Sequence, residues 1–144
     1  MREIKFRAWD KNKKRILPVT LMEFSEWWVS CAYQEDLHYG ERNSFKNEET
    51  DRHILMQYTG LHDKNGKEIY EGDILCIEIH GDRDLKDKSV IASGNEAVVW
   101  QNSSFGVIWG NRREFTRFDG FANTTFEVIG NTYENRGLLE VSRC

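Results

Sequence analysis

Glu71, Asp73 and Glu78 lie close enough along the chain for paired-carboxylate catalysis, because neighbouring acids shift one another's pKa and so divide acid and base roles. A structural reading competes with it and is the stronger. Glu71-Gly72-Asp73 has the composition of a turn, where an aspartate bonds the backbone that follows it, and Glu78 falls on the strand face opposite Ile77 and Ile79. Asp63-x-Asn65-Gly66 has the opening of a calcium loop, but the glycine arrives too early and the bidentate glutamate position is unmatched. His38, His53, His62 and His80 are scattered, with no paired-cysteine or paired-histidine spacing of a metal site, so a metal would need ligands gathered by the fold. Ser25, Ser30, Cys31 and Cys76 carry no local nucleophile signature, although triads assemble in space rather than in sequence. No glycine-rich turn followed by Lys and Ser/Thr offers a phosphate cradle. No catalytic residue, metal ligand or cofactor is assigned on these grounds.

The residues with most to offer are aromatic and basic: Trp100, Phe105, Trp109, Arg112, Arg113, Phe115, Arg117 and Phe118. On a curved sheet, exposed aromatics stack on bases while arginines hold phosphates, which is how small barrels bind single strands. Trp109, Arg112, Arg113, Phe115 and Arg117 are therefore the candidate contacts for a nucleic acid or a protein partner. Strand alternation places Phe115 with Arg117 and Thr116 with Phe118, so at least half of these aromatics are expected in the core.

The elements that must position such a surface read as strands. Ile4, Phe6 and Ala8 alternate with Lys5, Arg7 and Trp9, which has the period of a half-buried strand with Ile4 and Phe6 pointing inward. Asp10 to Lys14 supplies a turn into Arg15-Ile16-Leu17, with Pro18 ending or notching that second strand. Val19 to Tyr33 favours strand through Trp27-Trp28-Val29, and residues 34 to 52 read as an acidic solvated loop or insertion. Ile54 to Thr59 and Lys67 to Tyr70 flank Asn65-Gly66, a pair that takes the positive φ of a tight turn. Gly72-Asp73 turns the chain again into Ile74 to Ile79. Asp10-Lys11-Asn12 and Asp63-Lys64-Asn65 open two stretches with the same D-K-N-x-K-x-I spacing, read as one turn solution used twice. Residues 80 to 95 read as a second variable loop. Glu96 to Gln101, Phe105 to Trp109, Phe115 to Phe118 and Thr125 to Ile129 are further strands, the last closed by Gly130-Asn131, and Leu138-Leu139 begins a helical turn or caps the core. About eight short strands with little helix predict an all-β or mainly β fold, either a small barrel or two packed, strongly bent antiparallel sheets.

Composition sets the class. The chain has 144 residues, 39% hydrophobic and 12% aromatic, which suits one domain over residues 1–144 with a single core. Its apolar runs are too short to cross a bilayer, and the charged opening residues predict no signal peptide. Cys31, Cys76 and Cys144 are odd in number and unpatterned, which fits reduced thiols in a cytoplasm. A net charge of -4 argues against a dedicated duplex binder. Charge is nevertheless segregated: residues 1 to 15 hold seven bases against two acids, and residues 23 to 51 hold eight acids against two bases. Such segregation suits a basic face, or two stretches that pair within the fold or across a subunit interface.

Three blocks carry a family likeness. Met1-Arg2-Glu3-Ile4-Lys5-Phe6-Arg7-Ala8-Trp9-Asp10 is the first, and the run from Leu55-Met56-Gln57-Tyr58-Thr59-Gly60-Leu61 through Tyr70-Glu71-Gly72-Asp73-Ile74 is the second and most specific. The third joins Phe126 to Asn131 with Tyr133-Glu134-Asn135 and Leu138-Leu139-Glu140. Together they resemble the YopX family of phage and prophage proteins, while residues 20 to 52 and 80 to 95 match no pattern. The resemblance implies a mostly β fold, a bacteriophage or prophage origin, action in the cytoplasm of a bacterial host, and no established biochemical activity. The leading expectation is a non-enzymatic accessory protein that works through protein contacts or self-association, including a homo-oligomer. A single-stranded nucleic-acid-binding barrel is the first alternative, and an enzyme with a site assembled from distant residues is the second.

Overall fold

A computed structural model describes residues 3–24, 29–33, 43–46, 53–81 and 89–141, with backbone alone at Glu23, Val29–Tyr33 and Asn43–Lys46. The fold is mainly β. Its strands are β1 (Phe6–Asp10), β2 (Arg15–Phe24), β3 (Val29–Tyr33), β4 (Asn43–Lys46), β5 (His53–His62), β6 (Glu68–Tyr70), β7 (Asp73–His80), β8 (Val90–Ala97), β9 (Val99–Gln101), β10 (Ser104–Trp109), β11 (Glu114–Arg117) and β12 (Thr124–Asn131). They form three antiparallel sheets in the orders β4-β3-β2-β1-β5-β6, β11-β10-β9 and β12-β7-β8. Of the two architectures expected, the closed barrel is not the one formed by the described strands. Helix is limited among the described residues to 3-10 turns at Phe118–Gly120 and Arg136–Glu140, the second at the predicted Leu138-Leu139 turn. No helix among these residues is long and apolar enough to cross a membrane.

The chain divides into two compact units, Met1–Tyr58 and Thr59–Cys144. In the first, β1 is central. It pairs with β2 from Arg7↔Pro18 to Asp10↔Arg15 and with β5 from Phe6↔Gln57 to Asp10↔His53. Ala8 and Leu17 are buried, with Val19, Met22 and Leu55 packed against them. Ile4 departs from the expected alternation: it precedes the paired strand and is 71% exposed. Pro18 neither ends nor breaks β2. It is the last residue paired with β1, and pairing with β3 begins at Val19, so the missing N–H falls where the strand changes partner. Strand β4 lies inside the stretch expected to be a loop; the remainder of residues 34–52 lies outside the described residues.

In the second unit β7 is the central strand of its sheet, and Asp73 to Ile77 are all buried. Ile69, Leu75, Ile77, Val98, Phe105 and Val107 form the core, with Trp109, Phe118, Phe121, Phe126 and Val128 packed around it. At about 25 cal/mol per Å² of apolar surface removed from water, such aliphatic and aromatic burial supplies the main favourable term for this unit. Phe118 and Phe121 each meet Phe126 edge-on, at 5.3 and 5.4 Å between ring centres. The expected loop over residues 80 to 95 is corrected at its C-terminal end, because β8 begins at Val90 and pairs with β7 through Ile79↔Ala92 and His80↔Val90. That register leaves Ile91 as an extra residue, a β-bulge. Cys76, buried in β7, is disulfide-bonded, where its spacing had suggested a free thiol. Spatial proximity, rather than interval along the chain, chooses a cysteine's partner.

Candidate functional site

The turn residues singled out in the sequence do structural work. Gly66 and Gly72 have φ of 82° and 81°, values that suit glycine. Asp73 is 1% exposed, and its Oδ2 accepts the Tyr70 N–H at 2.8 Å, a bond that reaches back along the chain. The same turn binds outward through backbone bonds from Gly72 N to Val98 O, Val98 N to Asp73 O and Thr132 N to Gly72 O. Asn65 donates its backbone N–H to Asp63 Oδ1 at 2.8 Å, and Lys67 donates to the same oxygen at 2.9 Å. Asp63 Oδ2 accepts the N–H of Val128 in β12 at 3.0 Å. Desolvation pushes the Asp63 carboxyl up, but the N–H donors of Val128, Lys67 and Asn65 outweigh it and hold the group below its ordinary value.

Asn131 ends β12 rather than following it, and its Oδ1 accepts the N–H groups of Tyr133 and Glu134 at 3.0 and 2.9 Å. Gly130 is needed for close approach, since a Cβ there would lie 2.6 Å from Asn135 Oδ1.

The aromatic and basic stretch is split by the structure. Phe115 lies in β11 opposite Ile108, and its ring covers Gly106, where a Cβ would lie 2.8 Å from a ring carbon. Arg117 is exposed and paired with Asp119 at 2.8 Å. Arg112 is exposed in the turn between β10 and β11. Trp109 and Arg113 alone of the five candidate contacts come together, at the two ends of that turn. Gly110 at φ 80° begins it, and the Arg113 N–H bonds Gly110 O at 3.0 Å.

Trp109 is half-buried and seats its ring over Gly94 of β8, where a Cβ would come within 3.1 Å of the indole. Its other neighbour is Phe121, edge-on at 5.9 Å. Arg113 has φ 54°, a backbone setting unfavourable for a long side chain, and its guanidinium forks onto Glu96 of β8, with Nη2 to Oε2 at 3.1 Å. The Glu96 side chain is 14% exposed and that of Arg113 is 61%. The hydrogen bond from Arg113 to Glu96, reinforced by their opposite charges, raises the arginine's pKa further and keeps it cationic.

These two residues line an open groove of about 480 Å³. Ala92 to Glu96 of β8 and Leu139 to Val141 complete its lining. Sequence reasoning found Trp109 and Arg113 but missed β8, because Gly94 and the neighbouring charges disguised a strand. The Val90-Ile91 pair of β-branched residues was the signal that could have found it. With two of three arginines already on carboxylates, the surface offers less to phosphates than the linear sequence suggests.

The same architecture occurs in solved structures. Protein EF1440 from Enterococcus faecalis is similar over 96% of this chain and 99% of its own, with TM-score 0.62 and 26% identity. Protein yopX from Bacillus subtilis covers the same shares at TM-score 0.64 and 18% identity, a likeness of fold. No curated protein matches the chain. Residues 5–140 match the family described as YopX protein, and the chain therefore belongs to the YopX family.

Proposed function

We propose that this is a non-enzymatic phage or prophage accessory protein that works inside the bacterial cell through protein contacts, with self-association as one form of them. The exposed edge of β8 carries this reading. β8 ends the β12-β7-β8 sheet, and at its start Val90 and the bulged Ile91 are 46% and 66% exposed. A sheet edge is a template for pairing with another chain, and proteins blunt it with charge when contact is unwanted. Here apolar side chains stand in place of that charge. Asp73, one of the three acids that a paired-carboxylate site would use, is buried in a turn with its Oδ2 on the Tyr70 N–H.

Light scattering across a concentration and salt series, combined with capture from prophage-induced cells, tests the reading. The native chain is expected to associate with itself or with a defined phage or host protein, and Ile91→Lys to weaken that association at least about tenfold, the scale of 1.4 kcal/mol. A strict monomer that captures nothing overturns it. Anisotropy with a labelled oligonucleotide separates the rival: low-salt binding lost in Arg112→Ala would favour single-strand recognition.

A further inference from the structure

We infer that Cys76 is a thiol–disulfide exchange site, at which a protein dithiol reduces the disulfide and the released thiol bonds the side chain of Asn95 beside it. The inference stands apart from the protein-contact reading. Cys76 is disulfide-bonded and 5% exposed within β7. Asn95 of β8 is its partner in register, and directly opposed residues of antiparallel strands send their side chains out of the same face. The two Cβ atoms of such a pair stand about 4.5–5.5 Å apart, within reach of a hydrogen bond between the side chains.

The asparagine is half satisfied. Its Nδ2 donates to Leu138 O at 3.0 Å, which lays the 3-10 turn Arg136–Glu140 over that face, whereas its Oδ1 is buried without a hydrogen-bond donor. The residue is 6% exposed, so bulk water does not supply the missing bond. A bare buried acceptor is disfavoured, and a disulfide sulfur has no proton to offer it. A thiol has one. Reduction places an S–H donor across the strand pair from Oδ1, and the amide is then bonded at both ends. The exchange balances: the two thiols of the reductant become its disulfide, and two electrons and two protons pass to the protein, leaving thiols on Cys76 and on the sulfur to which it was bonded. The turn's own bonds, Leu138 N to Asn135 O and Val141 N to Leu138 O, are internal to it, so the Asn95 bond ties it to β8. That tie carries the redox state to the surface, because Leu139 to Val141 line the groove beside β8. In a reducing compartment the thiol form holds the turn down, and oxidation loosens it.

The test uses the full-length chain, oxidised and then titrated with dithiothreitol, with free thiols counted by alkylation and mass spectrometry and Asn95 followed by NMR. One alkylated thiol of the three cysteines is expected before reduction and all three after it. Exchange of the Asn95 Nδ2 protons is expected to slow at least about fivefold in the reduced chain, the scale of one added hydrogen bond of about 1 kcal/mol. Asn95→Leu removes the bare oxygen and is expected to lower the equilibrium constant for reduction by the same factor. Cys76→Ser carries a permanent hydroxyl donor and is expected to hold the Asn95 protons at the slow rate. Three alkylated thiols before any reductant is added, or equal exchange in the two redox states, overturns the proposal. So does an Asn95→Leu chain, folded by circular dichroism, that is reduced as readily as the native one. If that variant does not fold, Cys76→Ser decides: Asn95 exchange as fast as in the oxidised chain overturns the proposal.

Discussion

The two Asp-Lys-Asn turns, Asp10–Ile16 in the first unit and Asp63–Ile69 in the second, begin alike and end differently. In both, the aspartate Oδ1 caps the turn: Asp10 accepts the N–H groups of Asn12 and Lys13 at 2.9 and 3.1 Å, and Asp63 those of Asn65 and Lys67 at 2.8 and 2.9 Å. The second oxygen separates them. Asp63 Oδ2 accepts a backbone N–H from β12, whereas Asp10 Oδ2 lies 3.5 Å from His53 Nε2 across the β1–β5 pair. The left-handed residue also moves, from Lys14 at φ 51° to Gly66 at φ 82°. A local motif thus specifies the turn, and the remaining valence of its carboxylate is free to join whatever the fold brings near.

Removing the aspartates should expose this difference most strongly. Asp63→Ala frees three N–H donors, Val128 N among them, and Asp10→Ala frees those of Asn12 and Lys13 and removes the carboxylate beside buried His53; each is expected to cost roughly 2–4 kcal/mol. Urea midpoints measure both, and a loss below about 1 kcal/mol for Asp63→Ala would mean that its bond to β12 contributes nothing.

Acid sharpens the same point. The folded-state pKa of Asp63 is depressed, so its contribution is fully present above the ordinary carboxylate value of about 4 and is lost as pH falls through the lower folded value. Asp63→Asn should flatten that acid limb, and an unchanged limb would show that other carboxylates set it.

The smallest effects test the backbone. Gly66→Ala meets open space but a positive φ and should cost about 1 kcal/mol. Lys14→Gly relieves a left-handed lysine at some cost in unfolded-state entropy, and should stabilise by roughly 0.5 kcal/mol. A destabilised Lys14→Gly would mean that the lysine side chain, rather than its backbone, matters at that turn.

Much of the architecture was legible because strand burial has a period of two and turns have their own chemistry. Asn65-Gly66, Gly72 and the Ile74 to Ile79 run stand in the structure where their residue types put them. Ile4 was misread because alternation continues in sequence after pairing has stopped. The candidate surface was only partly legible. Phe115 and Arg117 are neighbours on one strand face, yet one covers Gly106 and the other holds Asp119, while Arg113 turns to a glutamate that precedes it by a whole hairpin.

By itself the sequence determined the β class, the turn positions and the family likeness, since each rests on contacts within a few residues or on a pattern repeated along a strand. Tertiary structure alone decided that Glu96 meets Arg113, that Trp109 rests on Gly94, and that β8 ends its sheet beside Leu139 and Val141. The reason is physical: period and propensity fix which way a side chain points, but the partner it meets depends on strand order, which no local interaction encodes.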